Sequence, residues 1–576
     1  MSEMKLDQKS IAGVLEEIAI MQELKGENPF KSRAYRNAAR TLETTKENIA
    51  EYVSSGTLNK LPGIGKGIAE NISILANTGE LPYYNELKSS LPEGLFDVMR
   101  IPGLGPKKVK ALWDKLDITN IGELEYACME NRLIELQGFG DKTQKKILQG
   151  IEYVKKYVGN FHYPVAKNSA DELLEYMKIC KDVIEISIAG SLRRHKETVK
   201  DIDILVSTNN PENVMNHFVE YESVEEVINH GSTKSSIRLE SGINTDLRAI
   251  KPEEYPYALH HFTGSKEHNT LMRSRSKSMG LKMNEYGLFK GDKNIKCSNE
   301  EELFKQLGLD YIPPELREGS DEIEAAESGS LPNLVTSEDI KGIIHIHTTW
   351  SDGRHSVEDV SKICEKLGYE YAAIADHSRS LTIANGLKIE SIEPRRKEVD
   401  KVNKENKNVK VLCGIEADIL PNGDLDYPDE ILAEFDLVIA AVHSHWNMPE
   451  KEMTERVCKA FSNPHVHMLA HPTGRLLLSR ESYPINLDRI INIALEQNKI
   501  IELNANPYRL DLDWRWCRKA KEKGVQISIN PDAHKEKGWG DVHYGVGIAR
   551  KGWLEAQDIV NTLSYKDFVA RLKKCE

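Results

Sequence analysis

Apolar residues recur at helical spacing along the first 150 positions and are interrupted by Pro-Gly and Gly-x-Gly turns, which predicts a series of short packed helices. From about residue 183 the pattern changes. The runs IEISIAG, DIDILV and SIRLE, rich in β-branched residues, alternate with amphipathic stretches and predict strands mixed with helices. Residues 317–333, REGSDEIEAAESGSLPN, are acidic, hold Gly, Ser and Pro, lack apolar periodicity, and read as a linker. Beyond them seven apolar runs, GIIHIH, YAAIADH, VLCGIEAD, LVIAAVHSH, HMLAHP, IIELNAN and VQISINPDAH, alternate with helical segments. That alternation predicts repeated βα units and a parallel sheet.

At 576 residues the chain exceeds a single core, and about three to five compact units are expected. The net charge of −13 argues against binding polyanions through the whole-molecule field. Basic residues are nevertheless bunched, as in GSLRRHK and MRSRSK, so nucleic-acid contact falls to short motifs and backbone dipoles. The 8 cysteines are scattered without a C-x-x-C pair, against a zinc ribbon or disulfide framework and in keeping with a reducing compartment. No apolar run approaches the roughly 20 residues that span a bilayer, and MSEMKLDQKS lacks the apolar stretch of a signal peptide. The expectation is a cytoplasmic protein with no membrane partner. Of the 18 histidines, 11 lie after residue 340, which points to chemistry in that region.

Three segments share one wording: LPGIGKGIAENI (61–72), IPGLGPKKVKALW (101–113) and LQGFGDKTQKKIL (136–148). In each, a Gly-x-Gly turn opens a helix, and glycine lets backbone amides and the helix N-terminus face a phosphate. A single such turn is as often a plain helix connection. Repetition favours DNA-backbone contact through Gly63, Gly65, Gly103 and Gly105, without sequence readout. The third copy lacks the proline and carries Asp141 beside its second glycine, so less is expected of it.

In DIDILV, Asp201 and Asp203 alternate onto one strand face. Two adjacent carboxylates repel unless a cation neutralises them, and Mg2+ is the ordinary answer. Asp246, in GINTDLRAI, is placed to complete a two-metal site that activates a 3′ hydroxyl and holds a triphosphate. Alone, D-x-D is more often a solvated strand face. Here Gly190 and Ser191 open a phosphate-binding turn about a dozen residues upstream, and Arg194 would support charge on the departing pyrophosphate.

In the last region six apolar runs end in metal-ligating types: His345 and His347, His377, Glu416, His443, His471, and Asp532 with His534. Asp352 lies in the loop after the first run. Strand C-termini of a βα barrel open onto one face, so these nine are expected to converge. A lone buried histidine is usually hydrogen-bonded core, and shared placement at strand ends changes that weighting. His345 and His347 are expected on one strand face, with Glu416 able to bridge two ions. His355, His445, His465, His467 and His543 do not share the placement. Asn504 and Arg475 are expected to assist substrate binding.

GSLRRHKETVKDIDILV, FTGSKEHNTLMRSRSKSMGLKMNEYGLF (262–289) and the two leading hairpins resemble a family X DNA polymerase of the polymerase β type over about residues 1–317. The resemblance implies a helical DNA-end-binding domain (1–85), a helix-hairpin-helix domain (86–158), a nucleotidyltransferase palm (159–252) and a nucleotide-selecting subdomain (253–317). Phe262 and Gly264 would line the deoxyribose pocket, Asn269 and Arg273 would touch the nascent pair and template, and Lys31 and Tyr35 would form a 5′-phosphate pocket. Asn71 stands where relatives with lyase activity have a Schiff-base lysine, and an amide cannot form that imine. His261 replaces the family's tyrosine beside Phe262.

After a linker (318–340), residues 341–576 resemble the PHP (polymerase and histidinol phosphatase) domain, which implies a distorted (βα)7 barrel holding up to three Mn2+, Zn2+ or Fe2+ ions and hydrolysing phosphoesters. The implied fold class is multidomain α+β and α/β. The implied protein is a monomeric repair polymerase acting on gapped or primed DNA with dNTPs, its barrel a 3′-5′ exonuclease or phosphoesterase that also cuts at abasic sites. A nucleotidyltransferase for RNA or small molecules fused to a metabolite phosphatase is the alternative, opposed by the hairpins and by FTGS and NEY.

Overall fold

The computed structural model describes residues 8–45, 49–101, 103–134, 136–155 and 159–575. Pro102 of the second hairpin, the first seven residues of MSEMKLDQKS and the expected boundary at 158 lie outside them. The chain divides into two compact units, Met1–Val154 and Lys155–Glu576.

The first unit is helical. Helices α1 (Gln8–Lys25) and α2 (Pro29–Thr44) bury Ile11, Leu15 and Ile18 on one side and Ala38, Ala39 and Leu42 on the other. The start of α2 is written into the sequence: Asn28 accepts the Phe30 amide and Pro29 fills the first turn. Helices α3 (Lys66–Thr78), α4 (Pro106–Leu116) and α5 (Asp141–Lys155) each follow a Gly-x-Gly turn. The leading glycines, Gly63, Gly103 and Gly138, take φ of +81°, +88° and +91°. Between the glycines Ile64, Leu104 and Phe139 are buried, and their amides donate to the carbonyls of Leu61, Ile101 and Leu136 at 3.2, 3.1 and 3.0 Å. The third turn therefore has the shape of the first two. Neither the missing proline nor Asp141 alters it, because the turn depends on the left-handed glycine and the buried apolar residue.

In the second unit α6 (Tyr163–Met177) packs on a five-stranded sheet of β1 (Glu185–Ile188), β2 (Asp201–Ser207), β3 (Val224–His230), β4 (Lys234–Leu239) and β5 (Asn244–Ile250), in the order β1-β2-β5-β4-β3. A short helix, α7 (Gly190–Arg193), joins β1 to the residues before β2. Only β2 and β5 run parallel, and their register sets Asp203 beside Asp246. Helices α8 (Tyr255–Thr263) and α9 (Lys266–Ser278) lead to a small antiparallel sheet and a core around Phe304.

The expected linker is part of that core. Residues 322–328 form α10 (Glu322–Ser328), with Ile323, Ala325 and Ala326 packed beside Leu303 and Leu316. Glu322 is fully buried because His268 Nδ1, 2.8 Å away, and the Gly319 amide, 2.7 Å away, satisfy it. Its acidity looked like solvation and is in fact a paired interior charge.

The remainder is a nearly closed barrel. Parallel strands β6 (Gly342–Ile346), β7 (Tyr371–His377), β8 (Lys410–Asp418), β9 (Leu437–Ala441), β10 (Met468–Leu469), β11 (Ile500–Asn504) and β12 (Ile527–Asn530) follow one another in sequence order. The His347 amide closes it by donating to Ala533 at 3.0 Å. These strands are buried on both faces, which is why they read as apolar runs rather than alternating ones. Helix α11 (Ile392–Glu405) covers one side and α12 (Val542–Lys551) follows the last strand. Among the described residues no helix is long and apolar enough to cross a membrane.

Candidate functional site

The carboxyl ends of the barrel strands bring all nine expected ligands together, with Glu416 at the centre. Its Oε1 lies 3.1 Å from His471 Nε2, 3.2 Å from His443 Nε2 and 3.4 Å from His345 Nε2. Its Oε2 lies 2.7 Å from His377 Nδ1 and 3.8 Å from His347 Nε2. Asp532 Oδ1 is 3.1 Å from His347 Nε2, and Asp352 Oδ1 is 3.4 Å from His534 Nε2. Three overlapping sets, His347–Asp352–His377–His534, His345–His347–Asp532 and His377–Glu416–His443, each hold ligand atoms within 4.8 Å of one another.

The buried atoms His345 Nε2, His347 Nδ1 and His471 Nδ1 have no hydrogen-bond partner among the described residues, and His377 Nδ1 and Glu416 Oε2, though 2.7 Å apart, are not aligned for a hydrogen bond. Lone pairs left unsatisfied in a buried cluster of imidazole and carboxylate are the donor set that transition-metal cations take. The residues therefore fit metal ions. Burial alone would raise Glu416, but His443, His377 and His345 hold its carboxyl well below the usual range. His443 moves the other way: burial opposes its charge, and Glu416 with Asp418 lifts it to about 10. His347 is lowered to about 4 by burial, with His534 and His377 adding to it.

His345 reaches the cluster by a route that alternation does not describe. Its φ is +64° and the register of β6 against β7 slips between Ile344 and Ile346, a bulge that re-aims the ring. His471 at +24° and Asp532 at +51° are also left-handed, so backbone strain gathers at this site.

Sequence reasoning missed the groups behind the ligands. Glu502 Oε2 lies 2.6 Å from His345 Nδ1 and receives the Asn530 amide at 2.9 Å, and Asp418 lies 3.2 Å from His443 Nδ1. The signal was available, since Glu502 and Asp418 each stand two residues from a noted strand-end position, Asn504 and Glu416. Asp376 is buried, accepts from Thr348 and Ser351 and pairs with Arg395 at 2.8 Å, pinning the loop that carries Asp352. Two expectations are corrected. Asn504 donates to Glu502 at 2.8 Å and Asp532 at 3.1 Å and so orients ligands, while Arg475 is taken up by the Arg509 and Leu510 carbonyls and Asp513.

In the palm Asp203 and Asp246 pair across β2 and β5, with Asp201 exposed at the start of β2. Asp246 accepts from Ser236 at 2.6 Å and pairs with Lys234 at 2.7 Å. Burial first, then Asp201 and Asp246, pushes Asp203 up to about 6. A carboxyl raised by two neighbouring carboxylates fits a divalent cation. Gly190 has φ +62°, and a Cβ there would stand 2.1 Å from Asp203 Oδ2, so only glycine lets the turn with Ser191 approach. Arg194 is not free at this turn: it donates to Glu318 at 3.1 Å and to the Thr263 carbonyl at 2.7 Å. Phe262 of α8, Gly264 and Asn269 of α9 lie at one helix junction, where the Asn269 amide donates to the carbonyls of His261 at 2.7 Å and Gly264 at 3.2 Å, and Arg273 donates to the Asn269 carbonyl at 3.1 Å. Arg248 lies over Phe262 at 4.7 Å.

In the first unit Asn71 donates to the Tyr35 hydroxyl at 2.8 Å, with Lys31 exposed on the same helix, α2. A Cβ on Gly65, Gly103 or Gly105 would meet nothing within 4 Å, so those backbones are open to a ligand; at Gly63 it would touch Thr41 at 3.5 Å.

Family models match along the chain: a helix-hairpin-helix domain over residues 7–81, a SAM-like helix-hairpin-helix tandem over 96–152, the DNA polymerase beta thumb over 258–318 and the PHP domain over 344–506. The chain is 41% identical over 573 residues to the DNA polymerase/3′-5′ exonuclease PolX of Bacillus subtilis, covering 99% of this chain and 100% of that protein. It is 31% identical over 173 residues to the repair DNA polymerase X of African swine fever virus, 28% of this chain and 95% of the viral one. A probable phosphatase of Thermoanaerobacter sp. matches at 26% over 237 residues, 38% of this chain and 89% of that one.

Proposed function

The chain belongs to the family X DNA polymerases that carry a PHP domain, and from that membership we propose that it fills short gaps during DNA repair and processes 3′ ends in its barrel. The observation that carries the reading is the gathering of nine ligands around Glu416 in the same compact unit that pairs Asp203 with Asp246. The full-length match to a DNA polymerase gives the RNA or small-molecule alternative no support.

The proposed work divides by residue. Asp201, Asp203 and Asp246 would hold two Mg2+ ions, which supply charge neutralisation to attack by a primer 3′ hydroxyl on a dNTP. Gly190 and Ser191 bind the triphosphate, and Arg194 joins them on leaving Glu318. Phe262, Gly264 and Asn269 shape the deoxyribose and base pocket, and Arg273 contacts the template. The turns at Gly63, Gly65, Gly103 and Gly105 hold phosphates of gapped or primed DNA, and Lys31 with Tyr35 receives its 5′ phosphate. With Asn71 donating to Tyr35, no lyase is proposed.

His345, His347, Asp352, His377, Glu416, His443, His471, Asp532 and His534 would hold up to three Mn2+, Zn2+ or Fe2+ ions, which supply Lewis acidity to phosphoester hydrolysis. Glu502 and Asp418 orient two of those imidazoles, and Asp376 fixes the Asp352 loop. The barrel removes 3′ nucleotides or blocking groups and cuts at abasic sites. The proposed bodies are 1–85, 86–158, 159–252, 253–317 and 341–576, in a cytoplasmic monomer.

The test is a one-nucleotide gap with matched or mismatched 3′ end, assayed in Mg2+ and then Mn2+. Extension in Mg2+ with trimming stimulated by Mn2+ is expected, and failure to extend the matched gap would overturn the polymerase half.

A further inference from the structure

The barrel reaches into the palm through α12, the helix that follows the ligands Asp532 and His534. Opposite it lies the segment just after the phosphate-binding turn. Gly547 leaves no room for a side chain, since a Cβ would stand 2.4 Å from Nδ1 of His195, whose own φ is +52°. At the end of α12 the ammonium of Lys551, fully buried, donates to the carbonyls of Arg194 at 3.2 Å and Glu315 at 3.3 Å and pairs with Glu318 Oε1. The same Oε1 receives Arg194 Nε at 3.1 Å, and Oε2 receives Lys196 at 3.2 Å.

Three cations thus share one carboxylate, with Lys551 and Arg194 largely shielded from water and Lys196 partly exposed. Burial first, with Lys196 and Arg194 adding to it, draws Lys551 down to about 8 against the pull of Glu318. An excess of positive charge at low dielectric is relieved by an incoming polyanion. None of these contacts touches the barrel ligands, so ligation does not explain why Lys551 is buried here.

We propose that Lys551 is a positioning residue of the polymerase centre: it holds the Arg194 main chain and competes with the Arg194 guanidinium for Glu318, so that a barrel helix sets the grip of the palm on the triphosphate of an incoming nucleotide. The proposal rests on the reading that Ser191 and Arg194 hold that triphosphate. The sign follows from the sharing. Without Lys551, Glu318 keeps Arg194 for itself and a positive charge is lost. Without the charge of Glu318, Arg194 is released.

The experiment is gap filling by the full chain with dNTP varied, alongside trimming of a mismatched 3′ end. K551Q is expected to raise the dNTP KM about five- to tenfold, with kcat within about twofold and trimming unchanged; K551R recovers most of the loss; and E318Q lowers KM. A folded K551Q, judged by its melting temperature, with wild-type KM overturns the proposal. So does a rise in KM for both K551Q and E318Q, which marks a merely structural cluster, and if K551Q does not fold, the direction of E318Q decides. R194A separates the two readings. If R194A leaves the dNTP KM unchanged, the triphosphate reading falls and the proposal with it; if R194A raises KM and K551Q does not, the proposal alone falls.

Discussion

In the palm three carboxylates stand on two adjacent inner strands with a single lysine paired to one of them, whereas in the barrel three carboxylates are interleaved with six imidazoles. The same repulsion has two outcomes. Asp203, half-buried beside Asp201 and Asp246, is pushed up to about 6, while Glu416, fully buried, is held well below the ordinary range by its histidines. In the barrel the carboxylates are balanced by the imidazoles gathered around them. In the palm only Lys234 and Arg248 offset the carboxylates, and on the proposed reading Mg2+ supplies the rest. The largest expected effect breaks the molecule along this line. Asp203→Ala should cut gap filling about 10^3-fold or more and spare trimming, and His347→Ala should do the reverse, since each removes a ligand whose cation carries several kcal/mol of charge stabilisation. Parallel loss of both activities in either variant would mean that the two centres are not independent.

Next in size is a test of how rigidly each site is framed. The Asp352 loop hangs on Asp376, which is buried with Arg395 at 2.8 Å, while the palm carboxylates are held by the sheet register and by partly exposed Lys234. Arg395→Met leaves a buried carboxylate unpaired and should cost about 3–5 kcal/mol in urea unfolding. Lys234→Met removes a half-exposed pair and should cost at most about 1 kcal/mol. Equal costs would show that the palm is framed as tightly as the barrel. Glu502→Gln should then weaken barrel metal affinity about 10- to 100-fold by loosening the orientation of His345, read by competition with a chelator while gap filling is held as the control.

Much of this was legible in the sequence, for reasons that differ by region. The hairpins were legible because glycine with a buried apolar neighbour is a local requirement, and the third copy shows that the glycine outweighs the proline. The convergence of the nine barrel side chains was legible because parallel strands in sequence order put every strand end on one face. His345 was found by spacing alone, and the bulge that aims it depends on pairing with β7, which the sequence does not display. Arg475 was expected at the substrate, and Arg194 was expected free at the phosphate turn, because the sequence does not display the carboxylates that hold them. Their partners, Glu318 and Asp513, come from more than 30 positions away. Residues 317–333 were misread for a related reason, since Glu322 counts as solvated until His268 is seen beside it.

The smallest expected effect sharpens the comparison most directly, because it reads the repulsion in the palm. A carboxyl whose folded pKa stands above its unfolded one takes up a proton more readily when folded. The metal-free palm therefore loses stability as pH rises from the ordinary carboxylate range to about 6, and a cation restores what was lost. Read as competition, Asp203 is ionised above about 6, where Mg2+ meets no proton, and below it the proton must be displaced. The Mg2+ concentration for half-maximal gap filling should be flat from pH 8 to 6.5 and rise about fourfold by pH 5.5, the ratio set by half a unit of titration below 6. His347, lowered to about 4, stays neutral across that interval, so its own titration adds no matching bend to trimming. A Mg2+ requirement unchanged down to pH 5 would mean that its neighbours do not raise Asp203, and that palm and barrel differ in ligand type but not in how they carry charge.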